Sequence, residues 1–255
     1  MPSPTQTPSA PIHVPHAPLR GYYGQEQERS AWVVDLFDRT ALDYERIEGL
    51  MAMGSGSWYR RHALSLAGLQ PGMQVIDVGT GTGLVAREAA RLVGPDGRVL
   101  GVDPSAAMLA NARPMAGVQL VEGRAESIPA ADASADFLSL GYALRHISDL
   151  SIAFREFGRV LRPGGRLCLL EITCPKSGWR RALLKTYMHT LVPWAARVLG
   201  REPDTPLLMR YYWDTIEACV APPLIAAELE AAGFVEVTRR VELGIFSEYC
   251  ARRPH

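Results

Sequence analysis

The most constraining feature of the sequence is a short apolar run that ends in a glycine-rich turn. Val75–Val78 has the pattern of a buried strand, glycine stands at positions 79, 81 and 83, and Leu84–Ala90 has the pattern of a helix. Glycine adopts positive φ readily, and it lets a ligand approach the backbone without meeting a Cβ atom. Amides at the start of a helix lack intrahelical partners and can receive ligand atoms. The stretch therefore predicts a strand, turn and helix that hold a cofactor.

Two acidic residues indicate which kind of cofactor fits. Asp77 stands two residues before the turn, where its carboxylate would repel a diphosphate and attract a cationic amine and a sulfonium. Asp103 ends the next apolar run, and in a βαβ unit an acid there reaches ribose hydroxyls. The third glycine of the dinucleotide fingerprint is replaced by Leu84, which disfavours a nicotinamide dinucleotide. A nucleoside joined to a cationic amino acid, S-adenosylmethionine, is therefore the predicted cofactor.

The turn with both acids, D-V-G-T-G-T-G followed by G-V-D-P-S, resembles the class I S-adenosylmethionine-dependent methyltransferases. The resemblance implies an α/β fold: a Rossmann-like, seven-stranded, mostly parallel sheet with an antiparallel C-terminal hairpin, helices on both faces and an N-terminal helical cap. The residues expected to bind the cofactor are Asp77, Gly79, Thr80, Gly81, Thr82, Gly83, Asp103, Pro104, Met108, Arg124, Ala125, Glu126, Leu140 and Gly141.

One of these positions departs from the class. Where the class usually has an acid or amide that contacts the adenine amine, this chain has Arg124, which cannot accept a hydrogen bond. The backbone amide of Ala125 is then expected to read the adenine, with Arg124 either stacking or pointing to solvent.

Composition limits the other possibilities. A chain of 255 residues with 47% hydrophobic residues can form one domain with a sizeable core. Lys and Arg number 27, as do Asp and Glu, so the zero net charge argues against nucleic acid as a partner. The four cysteines form no C-x-x-C pair and no metal-ligand cluster, so no metal is expected and a reducing cytoplasm is predicted.

The chain is predicted to have three parts. Residues 1–20 hold six prolines and are expected to be a disordered tail, in which His13 and His16 are not expected to bind metal. Residues 21–70 are expected to form the helical cap. Residues 71–255 are expected to form the methyltransferase core, with a helical insertion at about 179–213.

Three further stretches resemble the ubiquinone and menaquinone C-methyltransferases. The segment that begins at Phe37 reads F-D-R-T-A-L-D-Y, and W-Y-R-R follows from Trp58. After the fourth predicted strand, G-Y-A-L-R-H-I matches that family in Leu144 and Arg145, whereas His146 replaces its usual Asn. Glu171-Ile-Thr-Cys-Pro resembles its L-E-F-S-x-P. The resemblance implies a hydrophobic, quinol-like aromatic substrate, which Tyr44, Trp58 and Tyr187 are expected to contact; Tyr44 is equally expected as a core residue.

Methylation of an aromatic ring carbon suggests roles for the residues after strand four. A ring carbon becomes a good nucleophile when a neighbouring hydroxyl is ionised, and Arg145 can hold that phenolate because guanidinium remains charged. His146 is the candidate general base. Tyr142 and Glu171 are the other candidate catalytic residues, Glu171 pairing with either Arg145 or a substrate hydroxyl. The alternatives are that His146 only packs beside Ile147 and that Arg145 is a solvated surface residue.

The insertion allows two interpretations. Leucines and aromatic residues recur at helical spacing among Arg and Lys residues, which predicts an amphipathic helix packed on the core. The same pattern is typical of a lid over a hydrophobic substrate or of a surface that contacts a bilayer, at the inner membrane face. A homodimer is also compatible with the sequence.

The sequence thus predicts a cytoplasmic S-adenosylmethionine-dependent methyltransferase that modifies a ring carbon of a phenol- or quinol-like substrate. Three alternatives stay open. The enzyme methylates an O, N or C atom of a small secondary metabolite, it modifies quinones through a non-methylating reaction of the same cofactor, or the chain binds the cofactor without catalysis.

Overall fold

The computed structural model describes residues 14–52 and 54–255, which form a seven-stranded sheet covered by helices. The strands are β1 Gln74–Val78, β2 Arg98–Asp103, β3 Val118–Glu122, β4 Ala135–Gly141, β5 Leu161–Ile172, β6 Val235–Glu242 and β7 Phe246–Arg252. The helices are α1 Glu26–Met51, α2 Gly56–Leu66, α3 Leu84–Val93, α4 Ala106–Ala110, α5 Leu150–Val160, α6 Gly178–Thr186, α7 Val192–Leu199, α8 Thr205–Ala218 and α9 Pro222–Ala231. A 3₁₀ turn at Leu144–His146 follows β4, and π-helical residues Tyr187–Leu191 join α6 to α7.

The sheet has the order β3-β2-β1-β4-β5-β7-β6, and this confirms the predicted fold class. β1 pairs in parallel with both β2 and β4, whereas β7 is antiparallel to β5 and β6. The chain therefore changes direction across the sheet between β1 and β4. In open α/β sheets, ligands bind beyond the carboxyl ends of the strands at such a point.

Apolar layers on both faces of the sheet form the core. One cluster joins β1, β4 and β5 to α5 and α9 through residues such as Leu138, Phe154 and Leu229. A second cluster lies on the opposite face and joins the sheet to α2 and α3 through residues such as Leu64 and Phe137. Parallel strands covered on both faces are apolar along their whole length, which explains why the sequence located these strands well.

Two predicted boundaries differ from the structure. β5 begins at Leu161, which pairs with Ala135, and a register shift between Ala135 and Phe137 accommodates the turn-like residues Arg162–Gly165 within the strand. The expected insertion at 179–213 corresponds to helices that extend from Gly178 to Ala218.

The expected tail is ordered where the structure describes it, from residue 14. His16 is buried, and the Pro15 carbonyl accepts a hydrogen bond from the Val220 amide at 2.8 Å. The prediction of disorder is therefore wrong for residues 14–20. These residues have too few apolar side chains to fold alone, but they pack against α8 and the loop that follows it. Residues 1–13, including His13, lie outside the described part.

The first helix contacts both the sheet edge and the late helices. Val33, Leu36 and Ile47 of α1 pack with Leu208 and Met209 of α8. In addition, Arg29 donates to the carbonyls of Arg145 (2.6 Å) and Ile147 (3.2 Å). Helix α1 thereby fastens the loop after β4 to the insertion.

We predict that Asp43→Ala lowers the free energy of unfolding by about 2–4 kcal/mol, because it leaves several buried donors without a partner. Asp43 Oδ2 accepts hydrogen bonds from the amides of Arg201 (2.6 Å) and Glu202 (2.8 Å) and from the Thr205 hydroxyl (2.9 Å). Burial acts to raise the pKa of Asp43, but these donors lower it below its ordinary 3.8.

The stabilisation should therefore be present above about pH 4 and be lost as the pH falls through the folded-state pKa. Urea denaturation at neutral and acidic pH measures it. Asp35→Ala is the control, because the ion pair of Asp35 with Arg39 is exposed and should change stability by less than about 1 kcal/mol. Equal effects of the two substitutions would contradict the prediction.

Candidate functional site

A pocket of about 820 Å³, part of it open to solvent, lies at the carboxyl ends of β1, β2 and β4 and beneath α1. Most of the predicted site residues line it, namely Tyr44, Gly79, Gly81, Asp103, Pro104, Met108, Arg124, Ala125, Glu126, Leu140, Gly141, Tyr142 and His146. The sheet topology brings most of them together, because they end or closely follow strands at the same edge, whereas Tyr44 reaches the pocket from α1.

The glycine turn forms one wall of the pocket. Gly79 has φ of 63° and Gly81 has φ of 56°, values that L side chains rarely adopt. A Cβ atom on Gly79 would lie 2.5 Å from the Cβ of Ala143, whereas the space beside Gly81 is open. The turn thus needs glycine at position 79 for the approach of the next loop, and at position 81 it presents bare backbone to the pocket.

Asp77 does not line the pocket. It is fully buried beneath the turn, where Oδ1 accepts from the Ser139 hydroxyl and Oδ2 from the Thr80 hydroxyl, each at 2.6 Å. Burial raises the pKa of Asp77 to about 6, although the two hydroxyls and the nearby Ala86 amide act in the opposite direction. The predicted direct attraction of a cationic ligand is not what the structure shows. Asp77 instead has a role inside the protein, because its carboxylate ties the turn to β4.

Asp103 lies at the pocket wall and also supports the turn. Its Oδ2 accepts from the Gly81 amide at 2.7 Å, and its Oδ1 accepts from the Ser105 amide at 2.9 Å. Burial raises the pKa of Asp103 to about 6. Each carboxylate oxygen retains a further lone pair, so Asp103 can still accept hydrogen bonds from ribose hydroxyls.

Arg124 closes the adjacent side of the pocket. Its guanidinium donates to the hydroxyl of Ser30 in α1 at 2.5 Å and to that of Ser148 at 3.3 Å, while Glu126 accepts from the Ser148 amide at 2.8 Å. Arg124 therefore bridges the loop after β3 to the cap. Arg124 is also exposed, which agrees with the predicted orientation to solvent, whereas the bridge to α1 was not predicted.

Aromatic side chains form the inner wall of the pocket. Phe37 and Tyr44 come from α1, Tyr142 from the loop after β4 and Tyr212 from α8. Tyr44 and Tyr212 are close enough to affect each other's ionisation, and burial raises the pKa of both phenols, so both remain neutral. Such a wall offers stacking surfaces for a flat ring together with phenolic hydroxyl groups.

His146 lies within this wall. Its ring contacts Phe37 edge-on at a centroid distance of 5.3 Å and stacks with Tyr211 and Tyr212 at 5.5 and 6.0 Å. Neither ring nitrogen has a hydrogen-bond partner among residues 14–52 and 54–255. Burial, together with the nearby Arg145 and Arg29, holds the pKa of His146 well below 6.5, so the imidazole is neutral at pH 7.

Tyr142 has an unusual backbone conformation, with φ of 61°. A non-glycine residue in this region is uncommon, and such residues concentrate at functional sites. The Tyr142 amide donates to the Leu170 carbonyl at 2.7 Å, and the Arg60 guanidinium lies 5.8 Å from the ring centroid. These contacts hold the ring at the pocket.

Arg145 and Glu171 do not line the pocket. Arg145 is buried and forms an ion pair with Glu171 at 2.9 Å, and it also donates to the Thr215 hydroxyl at 2.6 Å. Further bonds reach the carbonyls of Tyr212 and Tyr142, each at 3.3 Å. The structure thus places Arg145 neither at a substrate phenolate nor at the surface, because β5 and α8 enclose the guanidinium.

Several other predicted residues also lie away from the pocket. Thr80 serves Asp77, while Thr82 and Gly83 lie behind the turn at the start of α3. Trp58 is exposed on α2 and stacks on His62. Tyr187 donates to the Met51 carbonyl at 3.2 Å and packs beside α8. The sequence predicted that Trp58 and Tyr187 contact the substrate. In the structure, the orientation of their helices directs Trp58 to solvent and Tyr187 towards Met51.

The sequence predicted Tyr44 of α1 at the substrate, but it did not single out the other pocket residues of α1 or any residue of α8. Val33, Val34 and Phe37 line the pocket from α1, and Tyr212 lines it from α8. In the sequence these residues look like the apolar faces of ordinary helices. The only available signal was the cluster Tyr211-Tyr212-Trp213 near the end of the insertion.

The described residues hold neither a cluster of metal ligands nor a membrane-spanning helix. In residues 14–52 and 54–255, no three His, Cys, Asp or Glu side chains are grouped so that they could hold a metal ion. Among the helices of that same part of the chain, none has the length and apolar character needed to cross a membrane.

The sequence is similar to curated enzymes along most of its length. The ubiquinone/menaquinone biosynthesis C-methyltransferase UbiE of Rubrivivax gelatinosus is 34% identical over 214 residues, which cover 83% of this chain and 82% of that protein. The demethylmenaquinone methyltransferase of Roseiflexus castenholzii is 32% identical over 219 residues, covering 84% of this chain and 90% of that protein.

Solved structures with low identity share the fold. An S-adenosylmethionine-dependent methyltransferase from Aquifex aeolicus matches with a TM-score of 0.60 at 21% identity, covering 82% of this chain and 97% of that one. The [4+2]-cyclase SpnF matches with a TM-score of 0.53 at 19% identity, covering 78% and 80%. Because one of these is a cyclase, the fold alone does not decide the reaction.

The family is decided by the sequence match. The model of the ubiE/COQ5 methyltransferase family covers residues 24–251, which include the cap, the glycine turn and every residue of the pocket. The chain therefore belongs to the ubiE/COQ5 methyltransferase family and is an S-adenosylmethionine-dependent methyltransferase that acts on a small-molecule substrate.

Proposed function

We propose that this enzyme methylates a ring carbon of a hydrophobic phenol- or quinol-like substrate in quinone biosynthesis. The observation that carries the proposal is the neutral His146, whose two ring nitrogens are unpartnered in the described residues while it lines a pocket walled by Phe37, Tyr44 and Tyr212. The relatives named above, whose names state quinone-directed methylation, support the same substrate class.

The residues at one end of the pocket fit the cofactor. Gly79 and Gly81 present backbone without side chains, and Asp103 offers carboxylate oxygens to ribose hydroxyls. Met108 and Ala125 add apolar surface suited to an adenine ring, while Arg124 closes that side through Ser30. When bound, S-adenosylmethionine supplies the methyl group on a sulfonium, which is already an activated electrophile. The protein's main task is therefore alignment of the acceptor.

The aromatic wall orients the acceptor ring. Phe37, Tyr44 and Tyr212 have large, flat rings that contact one another. Because these side chains are already fixed, binding an acceptor ring between them costs little further side-chain entropy. The hydroxyls of Tyr44 and Tyr212 can bond to a ring substituent, because both phenols stay protonated at neutral pH.

His146 is the general base in this proposal. As the substrate hydroxyl ionises, its proton would pass to the imidazole and electron density would move to the ring carbon. That carbon would take the methyl group as the methyl–sulfur bond breaks and S-adenosylhomocysteine leaves. The ring proton on the same carbon would then pass to water, and the imidazolium would return its proton to the oxygen. A lowered pKa makes the imidazole a weak base in isolation. However, the same burial strengthens the attraction between an imidazolium and the phenolate beside it, so formation of the pair offsets this weakness.

Arg145 is a positioning residue in this proposal. Its bonds to Glu171, to Thr215 and to the carbonyls of Tyr142 and Tyr212 join β5, α8 and the loop after β4. Since the pocket faces of Tyr142, His146 and Tyr212 all depend on this junction, Arg145 sets their distances without touching the substrate itself.

The proposal extends to setting and partners. Equal numbers of acidic and basic residues, 27 each, support a small-molecule acceptor rather than a nucleic acid. We place the enzyme in the cytoplasm, where its unpaired cysteines remain reduced. The proposal also includes contact of the enzyme with the inner face of the membrane. Analytical ultracentrifugation of the chain in solution tests whether it forms a homodimer.

The direct test is methyl transfer to short-chain, water-soluble benzoquinols and naphthoquinols. With methyl-labelled cofactor, we expect the label on a ring carbon, as located by NMR of the product. Label on an oxygen, or none with any quinol, would refute the proposed acceptor, whereas calorimetry with S-adenosylhomocysteine reports separately on cofactor binding.

We predict that Gly79→Ala weakens S-adenosylhomocysteine binding at least about tenfold, because a Cβ there lies 2.5 Å from Ala143 and strains the turn that lines the pocket. Gly72→Ala is the matched control: Gly72 also has positive φ, of 81°, but has open space around it and lies before β1. Calorimetry of both variants should show a loss of affinity for the first alone. Unchanged affinity in Gly79→Ala would contradict the proposed cofactor end of the pocket.

We predict that His146→Ala lowers kcat by about 10²–10⁴-fold, because the substitution removes the general base. Cofactor affinity should change little, because the glycine turn that binds the cofactor is left intact. Since the active form is the neutral imidazole and its pKa lies well below 6.5, kcat of the unmodified enzyme should be flat from about pH 6.5 to 8 and fall only at lower pH. His62→Ala, on exposed α2, is the control. A loss of only a few-fold would remove His146 from the chemistry.

A further inference from the structure

The segment from α6 to α7 forms one long helix with a π-helical turn in its middle. Residues 186, 187, 191 and 192 all have helical backbone angles, so the chain runs without a break from Gly178 to Leu199. At about 1.5 Å per residue the helix is roughly 30 Å long. Its inner side, including Met188, Val192 and Ala196, is buried against the body of the protein.

The outer side of this helix is apolar and faces solvent. Five large side chains there are between 52% and 68% exposed, namely Trp179, Leu183, Leu191, Trp194 and Val198. We call these five residues the outer stripe. Single exposed apolar residues are ordinary, but a row of five that includes two indoles marks an interaction surface.

The π-helical turn is what aligns the outer stripe. In an uninterrupted α-helix, Leu191, Trp194 and Val198 would be turned about 60–120° from Trp179 around the axis. The turn accommodates one extra residue and rotates the following residues back by about 100°, which brings all five to within about 40° of Trp179. The π-helical turn thus weakens the local backbone hydrogen bonds but produces one continuous apolar face.

Basic residues flank the outer stripe. Residues 178–199 contain Arg180, Arg181, Lys185 and Arg197 and no acidic residue, in a protein whose net charge is zero. Arg181 and Lys185 form ion pairs with Glu217 of α8 at 2.6 and 3.2 Å, so the charge offered to an anionic surface rests on Arg180 and Arg197. The Arg180 guanidinium lies 5.3 Å from the Trp179 ring centroid, so its charge is at the edge of the stripe. At the other end, three arginines (Arg197, Arg201 and Arg210) and one acid, Glu202, line a surface hollow with Trp194.

We propose that the outer stripe docks on an anionic lipid bilayer, with the helix lying in the plane of the interface. Indole and leucine side chains insert at the headgroup boundary, and the basic flank attracts anionic headgroups. The buried side of the helix packs on α8, which carries the pocket residue Tyr212. Docking would therefore place the pocket one helix layer from the lipid, where a hydrophobic quinol resides; this purpose rests on the proposed function, whereas the docking itself does not.

The first experiment measures co-sedimentation of the full chain with vesicles. We expect binding to vesicles of mixed phosphatidylglycerol and phosphatidylcholine at low salt, weaker binding at high salt, and little binding to phosphatidylcholine alone. No sedimentation with the anionic vesicles at low salt overturns the proposal.

Variants locate the docking surface. The double substitution Trp179→Ser with Trp194→Ser should weaken vesicle binding at least about tenfold, and so should Arg180→Glu with Arg197→Glu. Ile152→Ser with Leu224→Ser, on exposed positions of α5 and α9, is the matched control and should bind as the unmodified chain does. Circular dichroism establishes that each variant is folded. Equal loss in the control pair, or no loss in either stripe variant, would contradict the assignment.

Two further readouts separate lipid docking from self-association of the chain and from the proposed function. If the unmodified chain sediments as a dimer in solution and the tryptophan variant as a monomer, the outer stripe is an interface between copies and lipid docking is refuted. Methyl transfer to a water-soluble quinol should be unchanged in the tryptophan variant. If the unmodified enzyme does not carry out that reaction, the proposed function is refuted. The co-sedimentation result then decides the docking proposal independently.

Discussion

The buried carboxylate of Asp77 is the interaction on which the cofactor end of the structure depends. It accepts hydrogen bonds from the Thr80 and Ser139 hydroxyls. These partners come from the turn and from β4, so one side chain on β1 joins the turn to the neighbouring strand. A buried carboxylate is costly unless its oxygens are satisfied, and burial raises the pKa of Asp77 to about 6 in spite of these donors. The two hydroxyls therefore both stabilise the acid and fix the turn.

The acceptor end of the pocket depends instead on elements that are distant in sequence. The aromatic wall combines α1, the loop after β4 and α8, and two arginines join them: Arg29 through backbone carbonyls and Arg145 through Glu171 and Thr215. Both guanidiniums are buried, so removal of a partner would leave an uncompensated charge. The geometry of the pocket therefore depends on the folding of the insertion, because α8 supplies part of a site whose other residues lie at the edge of the sheet.

Burial has opposite consequences for the two neighbours Arg145 and His146. Arg145 retains its charge because Glu171 accompanies it, and it is thereby committed to holding the loop. Among residues 14–52 and 54–255, His146 has no carboxylate beside it, and two arginines lie nearby, so it loses its proton. A neutral imidazole whose nitrogens have no partner in that part of the chain can accept a proton, whereas a guanidinium, which stays charged, cannot. His146 therefore remains the candidate base that the sequence indicated, whereas Arg145 does not hold the substrate as expected, because Glu171 and Thr215 enclose it.

The sequence by itself determined the strands of the parallel core, the glycine turn, the two acids and the cofactor class, because these depend on local patterns of apolar residues and on backbone conformations that only glycine adopts readily. It also located the loop that carries Tyr142 and His146. Only the tertiary structure decided that Asp77 is buried beneath the turn, that Arg145 is enclosed by β5 and α8, that Trp58 faces solvent, and that Phe37 and Tyr212 complete the pocket. The reason is physical: which way a helix turns its side chains, and whether a charge is buried with a partner, depend on neighbours far along the chain, and no local pattern records them.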